Sequence, residues 1–149
     1  MSPNGPTRGV KLYENILACF DCCRWRVCQR MLDDGFGAED ADPVLAERGY
    51  LYLPPQCRSQ QCGLHIAFHG CEMQADRIGT RFVADAGYNR WADGAGVVVL
   101  YPQARSSLMP LNPKACWDWW GYTGRDHDTR DGAQPRWLKR VFARFGIAV

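Results

Sequence analysis

Several features that mark whole classes of protein are missing from this sequence. No apolar run approaches the roughly 20 residues that a membrane-spanning helix needs, so we expect no membrane partner. The formal net charge is only +2 and no Lys/Arg tract is present, so we expect no nucleic-acid partner. Residues 1–15 include Glu14 and lack an apolar stretch of roughly 7–15 residues, so no signal peptide is visible.

Cysteine and tryptophan, by contrast, are abundant. The 149 residues include eight cysteines and six tryptophans, and that many cysteines favours an oxidising compartment or a metal site. The length fits about one domain, and 46% hydrophobic with 23% charged residues is typical of a globular protein. The cysteine content favours an oxidising compartment, whereas no signal peptide is visible at the N-terminus. The localisation is therefore left open.

Residues 1–45 differ from the remainder, and we predict a Cys-rich leader and linker there, separate from a domain over 46–149. Residues 13–32 fit a short helix. Four cysteines crowd it: Cys19, Cys22, Cys23 and Cys28. Four thiolates suit tetrahedral zinc, but structural zinc sites usually take two separated pairs, so we expect no metal and no cofactor. We favour a non-native leader, from a frameshift or a misplaced start codon, because it also accounts for the absent signal peptide.

The apolar patterns of the remaining chain alternate between strands and helices. Three short runs rich in aliphatic and aromatic residues predict strands over 48–53, 64–68 and 97–101. Helical spacing predicts helices over 76–84, 88–93 and 137–145, with a loop over 106–115. Such alternation indicates an α/β fold in which the second and third strands are parallel. Three or so strands make a small sheet, so we expect part of a larger one.

The second predicted strand ends in His69-Gly70-Cys71. In α/β hydrolases a strand that ends this way builds one side of the oxyanion hole, because glycine allows a tight turn and the next N–H points at the developing negative oxygen. The Cys71 backbone N–H would then be the donor, with Gly70 and His69 supporting the turn. The alternative is a plain strand-to-helix turn with a capping histidine, since short motifs are weak signals.

Five motifs in order resemble the catalytic domain of poly(3-hydroxybutyrate) depolymerases, in particular the C-terminal part of the circularly permuted type. They are GYLYLPPQC at 49–57, LHIAFHGC at 64–71, AGYNRWA at 86–92, VVLYPQ at 98–103 and NPKACWDWWGYTG at 112–124. The resemblance covers residues 47–134. It implies a partial α/β-hydrolase fold, containing the oxyanion side of the sheet, from an extracellular or periplasmic family of serine esterases.

The resemblance also implies roles for particular residues. Cys71 matches the family cysteine that supplies an oxyanion N–H, and Trp117, or failing that Trp119, matches a tryptophan that contacts the polymer. Cys71 and Cys116 occupy two family cysteine positions and are candidates for a disulfide. The expected substrate is a short-chain polyhydroxyalkanoate or a small ester. The alternative for these tryptophans is packing in the core.

A serine esterase needs an activated serine in a Gly-x-Ser-x-Gly elbow together with a histidine and an acid, and the chain departs from that pattern. None of its four serines, Ser2, Ser59, Ser106 and Ser107, lies in such an elbow. In permuted family members the triad precedes the His-Gly-Cys strand, and before His69 this chain has only His65. We interpret His65 as packing within the fold and His127 as an exposed loop histidine rather than a base.

Three functions remain from the sequence. The first is a truncated depolymerase that lacks the triad and is inactive alone, with a complementary polypeptide carrying the triad as a partner. The second is a non-catalytic module that binds polyester or another apolar polymer on its tryptophans, and the third is a small Cys-rich zinc protein.

Cys57 and Cys62 are five residues apart across a loop and are candidates for a second disulfide, the alternative being free thiols.

Overall fold

A computed structural model describes residues 27–31, 45–46, 48–144 and 147 of the chain. Its strands are β1 (Val27–Met31), β2 (Arg48–Tyr52), β3 (Gly63–Ile66) and β4 (Val97–Tyr101). Its α-helices are α1 (Ala75–Ile78), α2 (Arg81–Asp85), α3 (Tyr88–Ala95) and α4 (Ala133–Arg144), and a 3-10 turn spans Pro55–Arg58. Within the described part of the chain, no helix is long and apolar enough to cross a membrane.

The strands form one mixed sheet in the order β1-β2-β4-β3. The predicted parallel pair is confirmed, since β3 runs parallel to β4 with Gly63 opposite Val97 and Ile66 opposite Leu100. β2 lies antiparallel to β4 on the other side, with Leu51 opposite Leu100. The sheet therefore places the end of β3 and the end of β4 at the same edge, where the chain leaves both strands.

The prediction of a helix over 13–32 is wrong at its C-terminal end. Val27–Met31 form β1, which pairs antiparallel with β2 from Val27 opposite Tyr52 to Met31 opposite Arg48. Helix propensity is a weak preference that tertiary pairing overrides, and here each of the five residues has a partner in β2. β1 lies within the predicted leader, whose other cysteines, Cys19, Cys22 and Cys23, are outside the described residues.

The sheet is covered on both faces. Val98 and Leu100 of β4 join a core cluster with Trp137 and Val141 of α4. The alternate residues Val99 and Tyr101 pack on the opposite face, in a second cluster with Val83 of α2 and Ala92 of α3. A strand buried on both faces reads as a continuous apolar run rather than an alternating one, which is why β4 was recognisable from its sequence.

The single helix predicted over 76–84 is wrong, because α1 and α2 are separate. Gly79 ends α1 with φ of 64° and ψ of −147°, and its N–H donates to the Ala75 carbonyl over 2.8 Å. A residue without a β-carbon adopts this left-handed backbone readily, so the chain turns there and begins α2.

The remaining element boundaries differ from the prediction by a few residues. β2 ends at Tyr52, β3 spans Gly63–Ile66 rather than 64–68, and α3 continues to Ala95. α4 begins at Ala133, because Pro135 fits the first turn of a helix, where the missing N–H has no intrahelical partner. The loop over 106–115 is confirmed and contains a two-residue bridge between Ser107 and Asn112.

Candidate functional site

The candidate site is the turn that follows β3. Ala67 still belongs to the sheet, since its N–H donates to the Leu100 carbonyl over 2.9 Å. His69 is buried, with 2% of its surface exposed, whereas Gly70 and Cys71 are exposed. The chain thus turns outward within two residues and brings Cys71 to the surface after the carboxyl end of a parallel strand.

His69 holds this turn against the end of β4. Its Nε2 accepts a hydrogen bond from the Ala104 N–H at 3.1 Å, and its Nδ1 lies 2.7 Å from the Gly70 carbonyl oxygen. Because Nε2 is the acceptor, the hydrogen of the neutral ring lies on Nδ1 and is donated to Gly70. Burial lowers the pKa of His69 below its ordinary value, although the bond to Gly70 opposes that shift. The imidazole is therefore neutral and both its nitrogens are engaged.

Trp117 packs beneath the same turn. Its indole Nε1 donates to the His69 carbonyl oxygen over 3.0 Å. Its ring lies 5.4 Å from the His69 ring and 4.7 Å from the Phe68 ring, measured between centroids. Trp117 is half-buried, so much of its surface supports the turn.

The disulfide between Cys71 and Cys116 joins the turn to the tryptophan segment. Next to it, the Glu72 N–H donates to the Lys114 carbonyl over 2.7 Å. The Glu72 carboxylate lies 3.6 Å from the Lys114 ammonium and 3.1 Å from the Arg77 guanidinium. Within the described residues, the Cys71 N–H has no hydrogen-bond acceptor. The disulfide and the Glu72 hydrogen bond therefore hold Cys71, an exposed residue, in a fixed position.

Asp118 shapes the segment that carries the other tryptophans. Its Oδ1 accepts from the N–H groups of Gly121 and Tyr122 at 2.7 and 3.0 Å, and its Oδ2 accepts from the Thr123 N–H at 2.8 Å and hydroxyl at 2.5 Å. Burial alone would raise the pKa of the Asp118 carboxyl, but these hydrogen bonds, led by Thr123, lower it overall. The carboxylate thus fixes the loop in its ionised form.

The loop closed by Asp118 leaves two tryptophans on the surface. Trp119 is 75% exposed and Trp120 is 42% exposed, and their ring centroids lie 5.1 Å apart. Each indole offers a large apolar area for contact with a ligand, since burial of an aromatic side chain removes that area from water. Of the two predicted polymer-contacting residues, Trp119 therefore offers more free surface than Trp117.

The structure brings His69, Gly70, Cys71 and Trp117 together through direct contacts and one disulfide. The second predicted disulfide, between Cys57 and Cys62, is also present. Sequence reasoning missed Asp118 and Asn112. Asn112 is completely buried, and its side chain bonds both the N–H and the carbonyl of Cys116 at 2.9 Å. The Asp-x-x-Gly spacing after Trp117 is a turn signal that would have found Asp118.

The remaining histidines lie apart from the turn. His65 packs between Tyr88 and Trp91, with ring centroids 5.2 and 5.3 Å away, as expected for a histidine within the fold. The prediction of an exposed His127 is wrong: the residue is half-buried, and its Nδ1 is buried without a hydrogen-bond partner among the described residues. Its ring packs close to Gly121, where a β-carbon would lie 3.2 Å from Nδ1.

The described residues show neither a base for a serine nor a metal cluster. The Ser106 hydroxyl accepts from Gln74 Nε2 at 3.4 Å and the Ser59 hydroxyl donates to the Gln56 carbonyl, so neither bonds a histidine. No group of three or more metal-ligating side chains occurs in the described part of the chain. The site consists of a turn held by His69, Trp117 and a disulfide, and of a following segment that exposes two tryptophans.

Comparison with known proteins places these features in a family. The family model described as Esterase PHB depolymerase matches residues 48–146. The polyhydroxybutyrate depolymerase of Talaromyces funiculosus is 39% identical over an alignment of 110 residues, and the match covers 66% of this chain and 31% of that protein. The poly(3-hydroxybutyrate) depolymerase of Delftia acidovorans is 34% identical over 103 residues, 67% of this chain and 20% of that protein.

Solved structures agree with this assignment. The crystal structure of PHB depolymerase from Penicillium funiculosum matches with a TM-score of 0.67 and 30% identity, over 80% of this chain and 41% of that chain. A PHB depolymerase variant complexed with R3HB trimer matches with a TM-score of 0.67 and 31% identity, over the same shares. The fold is therefore part of an α/β hydrolase. The chain belongs to the Esterase PHB depolymerase family and spans less than a third of the length of the curated relatives it matches.

Proposed function

We propose that this chain supplies the oxyanion-hole and substrate-cleft part of a polyester depolymerase, with the Cys71 backbone N–H as the oxyanion donor. The observation that carries the proposal is the turn after β3. The turn holds Cys71, an exposed residue whose N–H has no acceptor among the described residues, and His69, Trp117 and the disulfide to Cys116 fix its position. A preorganised donor is what stabilises the negative oxygen that forms when an ester carbonyl is attacked.

The nucleophile in this proposal comes from residues beyond the 149 of this chain. Both ring nitrogens of His69 are engaged, so that imidazole has no lone pair available to take a proton from a serine. The four serines lie outside any Gly-x-Ser-x-Gly elbow. A polypeptide that carries a serine, histidine and acid next to the Cys71 turn would complete the site, and the chain alone is inactive.

The substrate class follows from the relatives, which are named for polyhydroxybutyrate. We assign the same class, short-chain polyhydroxyalkanoates, to the complete site. Trp119, with 75% of its surface exposed, offers apolar area to the ester chain, and Trp117 offers the side that does not pack on Phe68 and His69. No metal or cofactor enters the proposal, because stabilising an oxyanion and binding an apolar chain need neither.

A complementation assay tests the catalytic role. The chain is mixed with the polypeptide that covers the unmatched remainder of the Talaromyces funiculosus relative, and hydrolysis of 4-nitrophenyl butyrate is followed. We expect background rates from each polypeptide alone and turnover from the mixture. A mixture without turnover, when the two polypeptides are shown to associate, contradicts the catalytic role.

Two paired variants isolate the Cys71 N–H. Cys71→Ser with Cys116→Ser removes the disulfide and keeps the N–H, whereas Cys71→Pro with Cys116→Ser removes both. Loss of one oxyanion donor typically lowers kcat by about 10²–10³-fold, so we expect that difference between the two folded variants in the complemented assay. Equal rates would show that this N–H does not serve the reaction.

A non-catalytic polymer-binding module is the second candidate, and the exposure of Trp119 and Trp120 favours it. Such a module binds R3HB trimer but gives no turnover with any complementary polypeptide. Fluorescence titration of the chain with R3HB trimer, compared with Trp119→Ala, measures this binding. Affinity that depends on Trp119 together with failed complementation would favour the module over the depolymerase part.

A further inference from the structure

A cavity of about 310 Å³ lies between the start of β2, the start of α1 and the segment that follows β4. Its apolar wall consists of three alanines, Ala46, Ala75 and Ala104. Pockets for small molecules begin at about 300 Å³, so the size of this cavity fits a molecule of a few carbon atoms. The remaining wall is polar and charged, which determines the kind of molecule.

Arg48 and Tyr50 line the cavity from β2. Side chains at alternate positions of a strand lie on one face of the sheet, so these two residues share a face. Tyr50 is buried, with 8% of its surface exposed, and its hydroxyl has no hydrogen-bond partner in the part of the chain that the structure describes. The hydroxyl is nevertheless accessible to solvent, because it is not among the fully buried polar atoms that lack a partner.

Asp76 and Gln74 line the same cavity from the start of α1. Gln74 is buried, its Oε1 has no hydrogen-bond partner among the described residues, and its Nε2 lies 3.4 Å from the Ser106 hydroxyl. The Asp76 carboxylate and the Arg48 guanidinium are exposed, and neither forms an ion pair within the described ranges. The wall therefore contains a cation, an anion, a phenol and an amide whose bonding capacity is not used by the protein.

The charges of Asp76 and Arg48 both act on the Tyr50 hydroxyl. Burial and then the Asp76 carboxylate raise the pKa of Tyr50 above its ordinary value, whereas Arg48 opposes that shift. The hydroxyl therefore keeps its proton and is available as a hydrogen-bond donor. Because both charges influence one hydroxyl, the three groups face a common volume.

A ligand that complements this wall carries an anion, a hydrogen-bond donor and a small apolar group. A carboxylate accepts hydrogen bonds from a guanidinium and a phenol, a hydroxyl donates to the Asp76 carboxylate, and a methyl group packs on the alanines. A 3-hydroxy acid has all three groups within four carbon atoms. Hydrolysis of each ester bond of polyhydroxybutyrate releases a carboxylate and a hydroxyl, so 3-hydroxybutyrate is the smallest product of that polymer.

We propose that the cavity is a product site that binds free 3-hydroxybutyrate, and this rests on the proposed function. The Arg48 guanidinium and the Tyr50 hydroxyl hold the carboxylate of the ligand. Asp76 accepts a hydrogen bond from the hydroxyl of the ligand, and the three alanines contact its methyl group.

The product site is separate from the proposed polymer contact, since neither Trp117 nor Trp119 lines the cavity. It is connected to the candidate oxyanion turn through Ala104. The Ala104 N–H donates to Nε2 of His69, which holds the Cys71 turn. A bound hydroxy acid would therefore lie against the segment that positions the turn.

Titration of the full chain with (R)-3-hydroxybutyrate, followed by ligand-observed NMR, tests the proposal. Tyr50→Phe removes only the hydroxyl from a buried ring. A hydrogen bond to a charged group contributes about tenfold or more to an equilibrium constant, so we expect the Kd to rise by about that factor. The matched control is Tyr52→Phe on the same strand, because the Tyr52 hydroxyl bonds Asp93 and does not line the cavity. The control should keep the wild-type Kd, and equal Kd values for Tyr50→Phe and the wild type overturn the proposal.

Arg48→Gln gives a second test that does not depend on a buried residue. An ion pair at an exposed position contributes up to about fivefold, so we expect the Kd to rise by roughly two- to fivefold. Arg90→Gln, which removes an exposed guanidinium from α3, is the control and should bind as the wild type does. If Tyr50→Phe fails to fold, an unchanged Kd for Arg48→Gln still overturns the proposal.

Three related molecules test which groups of the ligand are recognised. Butyrate lacks the hydroxyl and should bind more weakly than 3-hydroxybutyrate, and 1,3-butanediol lacks the carboxylate and should not bind. Equal binding of either molecule overturns the assignment of a hydroxy acid. Tighter binding of 3-aminobutyrate overturns it in favour of an amino acid, whose ammonium group would pair with Asp76.

The complementation assay separates this proposal from the proposed function. Turnover by the mixed polypeptides, when the chain does not bind 3-hydroxybutyrate, leaves the proposed function standing and overturns the product site. Binding that depends on Tyr50 and Arg48, when associated polypeptides give no turnover, supports a hydroxy acid site and contradicts the proposed function. Failure of both measurements overturns both.

Discussion

At the scale of single residues, His69 holds the Cys71 turn in place, and both its ring nitrogens are engaged in doing so. Its ring is buried, accepts from the Ala104 N–H and donates to the Gly70 carbonyl, while its own carbonyl accepts from Trp117. A general base needs a nitrogen lone pair that faces the substrate. His69 has none left, so in the proposed function it acts only through the position of the Cys71 turn.

We expect His69→Phe to lower the free energy of unfolding. Phenylalanine is chosen because its ring has nearly the same volume as that of histidine, so the main loss is the hydrogen bonding. The substitution leaves the Ala104 N–H without its acceptor in a buried place, and a lost buried hydrogen bond of this kind costs about 1–3 kcal/mol. Urea denaturation followed by tryptophan fluorescence measures the free energy of unfolding. The control is His65→Phe, because within the described part of the chain the His65 ring contacts the Tyr88 and Trp91 rings and makes no hydrogen bond. An equal loss in both variants contradicts the role assigned to His69.

Sequence reasoning reached the identity of the turn but not the way it is held. The order His69-Gly70-Cys71 after an apolar run predicts that the chain leaves the strand in a turn at this point, because those signals are local. The acceptor role of His69 depends on Ala104, 35 residues away, and no local pattern reports that pairing. The sequence also does not show which tryptophan is exposed. Trp117 is half-buried because its indole bonds the His69 carbonyl, whereas Trp119 is exposed.

At the scale of elements, the sequence predicted best where burial determines the pattern. β4 is covered on both faces and therefore appears as an uninterrupted apolar run. β1 was missed because its pairing partner β2 lies beyond a long connection, and Val27–Met31 alone fit either a helix or a strand. The break between α1 and α2 was missed because a glycine is tolerated inside a helix as well as at its end, and only the backbone at Gly79 decides.

The end of α3 provides a paired test of backbone conformation. Gly96 ends this helix with φ of 63° and its N–H donates to the Ala92 carbonyl, whereas Gly94 lies inside the helix with open space around it. Gly96→Ala forces a side chain into the left-handed region and should destabilise by about 1–2 kcal/mol. Gly94→Ala should stabilise by about 0.5–1 kcal/mol, since alanine loses less entropy in a helix. Thermal melting measures the change in melting temperature of each variant relative to the wild type. We expect a decrease for Gly96→Ala and an increase for Gly94→Ala, and changes in the same direction would refute the assignment of the helix end.

The two disulfides should differ in what they contribute to stability. Cys71–Cys116 closes a separation of 45 residues, whereas Cys57–Cys62 closes one of five. The loop-entropy relation gives about 4 kcal/mol for the first and about 2 kcal/mol for the second. We therefore expect the Cys71→Ser/Cys116→Ser variant to unfold at lower urea concentration than Cys57→Ser/Cys62→Ser. The reverse order would mean that burial of Cys57 and Cys62 outweighs loop length.

At the scale of the whole molecule, the candidate site connects parts that are distant in sequence. The Cys71 turn follows β3, the acceptor role of His69 ties it to the residues after β4, and the disulfide ties it to the segment before α4. The carboxyl ends of parallel strands meet at one edge of a sheet, which is where α/β proteins place their ligands.

Acid should destabilise the whole molecule in two successive pH windows. The pKa of His69 is lowered in the folded state, chiefly by burial. Above the unfolded value of about 6.5 the imidazole is neutral in both states, and stability is full. As the pH falls below that value, the unfolded chain binds a proton that the folded chain does not. The free energy of unfolding therefore decreases until the pH reaches the folded pKa. Its slope is at most about 1.4 kcal/mol per pH unit.

The second window belongs to Asp118, whose pKa the Thr123, Gly121 and Tyr122 hydrogen bonds lower in the folded state against the effect of burial. Its contribution is present above the unfolded pKa of about 3.9 and is lost as the pH falls through the folded value. Urea denaturation at a series of pH values measures both. His69→Phe should reduce the slope of the free energy of unfolding against pH in the first window, and Asp118→Asn should reduce that slope in the second. Each substitution removes the group whose protonation differs between the folded and unfolded chains. The contrary outcome would be equal slopes of the free energy of unfolding against pH for His69→Phe and the wild type between pH 7 and 5, to within roughly 0.3 kcal/mol per pH unit. The buried imidazole would then not be the group that makes the fold acid-sensitive in that range.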